Sequence, residues 1–339
     1  QALAKVVERQ DLRVDEAEMV MHQIVGGEAT PAQIAAFLTA LHMKGETVEE
    51  IIGCAVVMRR LATAVCPQRQ PLVDVSGTGG DGTGTFNIST TVAFVVAGAG
   101  LAVAKHGNLS VSSRCGSADA LQALGLNFDL SSEQVAACID HLWLGFLFAP
   151  SLHPAMRHAV GPRREIGIPT IFNLLGPLCN PARASAQVIG VYSESLVEPV
   201  AQVMAKLGTR FTFVVHGAGG LDELSTIGPS KVATVRDGNV RTFHLHPHEV
   251  GLRPATVADL AGGTPEYNAA IIRSVLAGDR GPCRDVVLLN SAAALVAAGL
   301  ASNFKAGCDL AATSIDSGQA QLKLQQLVEY SHRVVGGVS

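Results

Sequence analysis

Over residues 1–65 the apolar positions recur at three- and four-residue intervals, the period of helices packed on one another. Thr30-Pro31 is an N-cap followed by proline at the first helical position, and Ile34, Phe37, Leu38 and Leu41 behind it share one face. Thr47-Val48-Glu49-Glu50 is a capping box in which Glu50 reaches back to Thr47. The helix it opens carries Ile51, Ile52, Ala55, Val56 and Leu61. Nothing here carries chemistry, so the region reads as a packing or oligomerisation domain.

From Pro71 the pattern changes: short apolar runs alternate with helical periods, which predicts a largely parallel sheet flanked by helices. Strands are expected at 72–75, 101–104, 145–148, 187–191 and 211–216, and a hairpin at 231–235 and 240–245 turns on Asp237-Gly238-Asn239. Helices are expected at 92–99, 118–124, 265–276, 285–298 and 316–330. The fold class is α/β, with a small all-helical domain over 1–68 and a larger α/β domain over 69–339.

Composition narrows the function. The chain is 48% apolar, ample for a large core, and its 35 glycines suit tight helix–sheet packing. A net charge of −4 without a basic run argues against a nucleic-acid partner. The longest apolar stretch, 92–104, is short for a membrane span and contains Gly98 and Gly100, so no membrane association is expected. Seven cysteines without a C-x-x-C pair read as reduced thiols and, with no signal peptide visible after Gln1, as a cytoplasmic protein.

The chemistry concentrates in two loops. The first runs from Asp74 to Thr90 and holds five glycines between a predicted strand and a predicted helix. Glycines let backbone N–H groups approach a ligand, and the helix N-terminus beyond adds a positive dipole end, so the loop reads as a phosphate cradle. Gly77-Thr78-Gly79-Gly80-Asp81-Gly82 matches the dinucleotide fingerprint, but the next strand ends in Lys105-His106 where that fold needs an acid. No Lys-Ser or Lys-Thr closes the loop, so it is not a P-loop either. Asp81 inside such a cradle makes sense for a ligand that brings hydroxyls or Mg²⁺. The second loop, Lys105 to Ser117, supplies two cations, an amide and four hydroxyls. Side by side at the carboxyl ends of adjacent strands, the two suit a ligand with two separated phosphate groups.

The motifs Gly77-Thr78-Gly79-Gly80-Asp81, Asn87-Ile88-Ser89-Thr90 and Lys105-His106-Gly107-Asn108 resemble the signature of the anthranilate phosphoribosyltransferases. So do Arg163-Arg164-Glu165-Ile166-Gly167, the run from Phe172 to Pro181, and the run from His216 to Glu223. The resemblance covers essentially the whole chain in order. It implies the nucleoside phosphorylase/phosphoribosyltransferase-like fold, with a segment near 160–185 crossing back to the helical domain. It also implies that anthranilate's amine displaces pyrophosphate from C1 of phosphoribosyl pyrophosphate, with Mg²⁺, in a homodimer.

The same resemblance implies residue roles. Phosphoribosyl pyrophosphate falls to Gly77, Gly80, Asp81, Thr85, Asn87, Ile88, Ser89, Thr90, Lys105, His106, Gly107, Asn108, Ser112, Ser113 and Ser117. Anthranilate falls to Gly77, Asn108, His153 and Arg163, and a catalytic position to His106. Mg²⁺ falls to Ser89, Asp222 and Glu223. Read alone, Asp222-Glu223 is a helix start, Ser89 a helix cap and Arg163 a surface helix cation. Leu109 stands where many members carry Arg, and Met156 where some carry Tyr. Two rival readings are a pyrimidine nucleoside phosphorylase, whose second loop has Lys followed by Ser-Gly-Arg, and a basic nucleic-acid-binding relative of the fold. Alternating His244, His246 and His248 are interrupted by Pro247 and read as solvated surface.

Overall fold

The computed structural model describes residues 1–110 and 114–335. The chain opens with α1 (Ala2–Val7), α2 (Val14–Val25), α3 (Pro31–Lys44) and α4 (Val48–Leu61), in which α2 packs on α4 and α1 on α3. Both expected caps form: Thr30 accepts from the Gln33 N–H and Thr47 from the Glu50 N–H, each at 3.3 Å. Glu50 does more than cap. Fully buried, it also accepts the Leu12 N–H at 2.9 Å and pairs with Lys44 at 3.0 Å, tying the start of the bundle to α4.

The α/β part follows as β1 (Leu72–Gly77), α5 (Ile88–Gly98), β2 (Ala102–Gly107), α6 (Ser117–Ala123), α7 (Ser132–Leu142), β3 (Leu144–Phe148) and α8 (Ala149–Leu152). Then come α9 (Arg157–Ile166) and α10 (Ile171–Leu178), which leave the sheet and pack on α2, α3 and α4. The chain returns through β4 (Ala186–Gly190), α11 (Val197–Lys206), β5 (Phe211–Gly217), β6 (Ser230–Arg236) and β7 (Asn239–Leu245). It closes with α12 (Pro265–Leu276), α13 (Pro282–Ala297), α14 (Phe304–Asp316) and α15 (Gln319–Val335).

The seven strands order as β3-β2-β1-β4-β5-β6-β7, parallel from β3 to β5 and antiparallel from there. Successive side chains point to opposite faces, and both faces are covered. Val188, Val215 and Val232 join the core under α5 and α13, whereas Ile189, Val214 and Ala233 join the core shared with α11 and the bundle. The β6–β7 hairpin turns on Asp237 (φ 48°) and Gly238 (φ 80°), both left-handed as a two-residue turn of this kind requires.

The expected helix at 316–330 is α15, which begins three residues later at Gln319, and a further helix, α14, precedes it. Gly318, at φ 76°, ends α14 after Asp316 and lets α15 begin at Gln319, while Asn303 caps the unforeseen α14 by accepting the Ala306 N–H at 2.9 Å. The first helix after the glycine loop begins at Ile88 rather than Val92, because the polar Ser89 and Thr90 belong to its first turn.

Candidate active site

Chain connections leave β1 toward β2 on one flank, while β4 lies on the other. Loops beyond the strand ends diverge at such a point and leave a crevice. Gly77 at the end of β1 is in register with Gly190 at the end of β4. Neither position has room for a side chain. A Cβ on Gly77 meets the Asp222 carboxylate, and one on Gly190 meets the Asp222 carbonyl. Two glycines thus let the backbone at Asp222 cross directly over the sheet edge of the crevice.

Beyond Gly77 the loop bends through Gly79, Gly80, Gly82 and Gly84, all left-handed with φ of 62°, 74°, 71° and 66°. Asp222 Oδ2 accepts the Gly79 N–H at 2.7 Å. Asp81 folds back over its own loop, accepting the Thr83 hydroxyl at 2.7 Å and the Thr83 N–H at 3.2 Å, and lies 3.4 Å from the Asp222 N–H. Glu223 Oε1 accepts the Ser89 N–H of the first turn of α5 at 3.2 Å. The two acids therefore lace the glycine loop to the helix start. They are not themselves a helix start, because residues 222–223 form a bend after the bridge at Leu221.

Burial, then repulsion from Asp81, pushes the Asp222 carboxyl well above the usual carboxylate range; burial, then Asp222, does the same to Glu223. A hard divalent cation removes that repulsion, and oxygen donors suit Mg²⁺. Among the described residues no three His, Cys, Asp or Glu side chains are grouped to hold an ion alone. Residues of this chain thus fit a cation that takes its remaining ligands from substrate phosphate and water.

The other predicted residues divide into two sets. Thr85 bridges Ala261, and Gly80 faces Pro169 and Asn173, each 3.8 Å from where its Cβ would stand. In the second loop, Asn108 and Ser117 close on each other: the Asn108 N–H donates to Ser117 Oγ at 3.1 Å, and Ser117 Oγ donates to Asn108 O at 3.2 Å. Gly107 is needed for that closure, since a Cβ there meets Ser117 Oγ and the Phe146 ring. Ser112 and Ser113 lie outside the described residues. Leu109 is 42% exposed, at the rim.

The second set is turned inward. Ile88 is in the core, and its N–H donates to Phe86 O at 2.8 Å, so it anchors α5 rather than facing the crevice. Ser89 lies inside the first turn, and the cap position belongs to Asn87, whose side chain points into the protein, bonded to Cys115 and Asn268. Thr90 is buried, its hydroxyl without a partner among the described residues. Lys105 is buried under the loops, donating to Val75 O at 2.7 Å, with Asp74, Glu223 and Asp222 as its nearest charges.

His106 does not fit a proton carrier at neutral pH. Its ring is buried with Nδ1 3.0 Å from Gly176 O and Nε2 3.2 Å from His153 Nε2, and burial lowers its pKa to about 4. A carbonyl only accepts, so Nδ1 carries the proton and Nε2 accepts from His153. His153, lowered to about 3 by burial and by His106, then presents Nδ1 as a buried acceptor without a partner among the described residues. Arg163, on α9, stands over the Phe172 ring at 5.2 Å with no carboxylate partner among the described residues, and burial lowers its pKa to about 10. It is a half-buried cation suited to an anionic ligand rather than a surface charge. On the far side, His244 is exposed on β7, whereas His246 and His248 sit beyond the strand end, so the three do not share a strand face.

Sequence reasoning missed Asp74, Asn173, Gly190 and Asn268. Asp74 accepts the His106 N–H at 3.1 Å from within a strand, and an acid in an apolar run was its signal. Asn173 lies in the Phe172–Pro181 motif without a role of its own, and Gly190 and Asn268 carry no local signal because Asp222 and Asn87, which they meet, are distant in the chain.

Two family models divide the chain. One described as "Glycosyl transferase family, helical bundle domain" matches residues 1–62, and one described as "Glycosyl transferase family, a/b domain" matches residues 69–321. Fold and crevice thus define a glycosyltransferase built from a helical bundle and a mostly parallel sheet. The anthranilate phosphoribosyltransferases of Pelotomaculum thermopropionicum and Moorella thermoacetica are each 58% identical, spanning 97% of this chain and 96% and 97% of theirs. The anthranilate phosphoribosyltransferase crystal structure from Thermus thermophilus superposes with a TM-score of 0.92 at 44% identity, covering 98% of this chain and 99% of that one. The Saccharomyces cerevisiae enzyme, in complex with PRPP and Mg, gives 0.85 at 33% identity, covering 94% and 92%. The chain belongs to the anthranilate phosphoribosyltransferase family.

Proposed function

We infer that this chain transfers the 5-phosphoribosyl group from phosphoribosyl pyrophosphate to the amine of anthranilate, releasing pyrophosphate, in tryptophan biosynthesis. The observation that carries this reading is the Asp222-Glu223 pair, laced to the glycine loop on one side and to the first turn of α5 on the other. Diphosphate lies in this reading between the loop of Gly77 to Thr85 and the Asn108–Ser117 loop, with Lys105 lending its charge from below. Asp222, Glu223 and Ser89 would hold Mg²⁺, which would supply positive charge for the diphosphate leaving group. Ribose hydroxyls face Asp81. Anthranilate enters beside Asn108, with its carboxylate on Arg163, and His153 Nδ1 accepts an N–H of its amine.

Protein chemistry here is binding and alignment. The bond from C1 to diphosphate loosens to an oxocarbenium-like centre, and the amine is held in line to meet it. An arylamine is a free nucleophile at neutral pH, so no strong base is needed for attack. Neutral His106 and His153 agree with that requirement. We place the boundary of the bundle near residue 68, and assign the protein to the cytoplasm as a homodimer with small-molecule partners and no nucleic acid, on its charge of −4 and its scattered cysteines. Among the described residues no helix is long and apolar enough to cross a membrane.

Anthranilate fluorescence tests the reading. It should fall when protein, phosphoribosyl pyrophosphate and Mg²⁺ are all present and stay constant when any one is left out. Combining Asp222→Asn with Glu223→Gln should move the Mg²⁺ titration to higher concentration and lower kcat. An unchanged titration removes the metal role from the pair.

A further inference from the structure

The segment ahead of α12 runs along the outside of the glycine loop. Phe86 N–H donates to Leu260 O at 3.0 Å, and Gly262 N–H donates to Gly84 O at 2.8 Å. Gly262 admits no side chain, since a Cβ there stands 2.6 Å from Thr85 O. One turn into α12, Asn268 is 1% exposed. Its Oδ1 accepts the Gly263 N–H at 2.7 Å, and its Nδ2 donates to Asn87 Oδ1 at 2.9 Å. Asn87 Nδ2 donates in turn to Cys115 O at 3.3 Å, at the far end of the second loop.

The chain of bonds has one direction. It begins at a backbone N–H, which only donates, and ends at a backbone carbonyl, which only accepts. Both amides between are therefore fixed in orientation, and each needs a donor and an acceptor on one planar head. The half-buried Asn87 amide is thereby held between α12 and the end of the second loop. The Asn87 backbone sets where α5 begins, and with it the N–H groups of the first turn.

We propose that Asn268 is a positioning residue for phosphoribosyl pyrophosphate. It holds Asn87 so that the first anion loop and the end of the second are locked at a spacing matched to the two phosphate groups of the ligand. This rests on the functional reading above, in which both loops hold that ligand.

Calorimetry of the full chain with phosphoribosyl pyrophosphate and Mg²⁺ tests it, alongside steady-state kinetics. Asn268→Asp can still accept from Gly263 but sets a second acceptor against Asn87 Oδ1. Affinity for phosphoribosyl pyrophosphate should fall at least tenfold, with the KM for anthranilate within twofold of wild type. Asn268→Ala, which removes both bonds without adding charge, should act in the same direction and serves if the first variant does not fold. In an Asn87→Ala background the effect of Asn268→Ala should vanish, because the relay is already cut. Unchanged affinity in Asn268→Asp, an equal rise in both KM values, or a full Asn268→Ala effect in the Asn87→Ala background overturns the proposal. If wild type itself fails to bind phosphoribosyl pyrophosphate, the functional reading fails instead.

Discussion

Arg163 shows what one residue's surroundings add to its identity. In sequence it is one of two arginines before a glutamate on a helix, a common surface pattern. In the fold its guanidinium stands over Phe172, half-buried, with no carboxylate partner among the described residues. A charge in that position is kept for a ligand, since leaving it unpaired carries a desolvation cost. Arg163→Ala should weaken anthranilate binding by about 1.5–3 kcal/mol, the worth of a hydrogen bond to a charged group. Binding of phosphoribosyl pyrophosphate should change little. Calorimetry with each ligand separates the two, and the reverse pattern would move Arg163 to the phosphate side.

At the scale of elements, most of the architecture was legible. All seven strands and the hairpin turn lie where apolar runs and Asp237-Gly238 placed them, because strand length and turn chemistry are local. Helix α14 went unread and the start of α15 was placed three residues early, since a single glycine such as Gly318 in a helical period is often tolerated. Close approach between elements left no trace in the pattern. Gly190 reads as an ordinary strand end, yet the Asp222 carbonyl occupies the place of its side chain. Gly190→Ala should cost about 1–3 kcal/mol of stability, the range for overpacking, and should displace Asp222 from Gly79. Gly161→Ala is the control: nothing lies within 4 Å of its Cβ, and alanine favours the helix. Urea denaturation of both variants, with the KM for phosphoribosyl pyrophosphate, checks the contrast. Equal stabilities would mean that the crossing at Gly190 yields without strain.

At the scale of the whole molecule, the buried relay Gly176–His106–His153 joins the returning helix α10 to β2 and to the end of α8. Both rings have folded pKa values depressed below the ordinary value near 6.5, to about 4 and about 3. As pH falls below about 6.5 the unfolded chain therefore takes up protons that the folded chain refuses, and stability is lost on acidification. Each ring contributes at most about 1.4 kcal/mol per pH unit. Buried Asp222 and Glu223 act in the opposite sense, so the test is a difference. Wild type and His153→Gln should show parallel stability curves above pH 7, and wild type should fall more steeply between about pH 6 and pH 4. Parallel curves throughout would mean that His153 titrates normally in the fold.

By itself the sequence determined the seven strands, the caps at Thr30 and Thr47, the two glycine-bearing loops and, through long motifs, the family, while helices such as α7, α11 and α14 went unread. Each feature that was read depends on neighbours within a few residues, where periodicity, capping and turn chemistry act. Only the tertiary structure decided that Asp222 presses on Gly77 and Gly190, that Lys105 and His106 are buried beneath the loops, and that Asn87 faces Asn268. Those contacts join residues far apart in the chain, so whether a polar side chain faces a ligand or a buried partner was set by packing across the sheet and crevice.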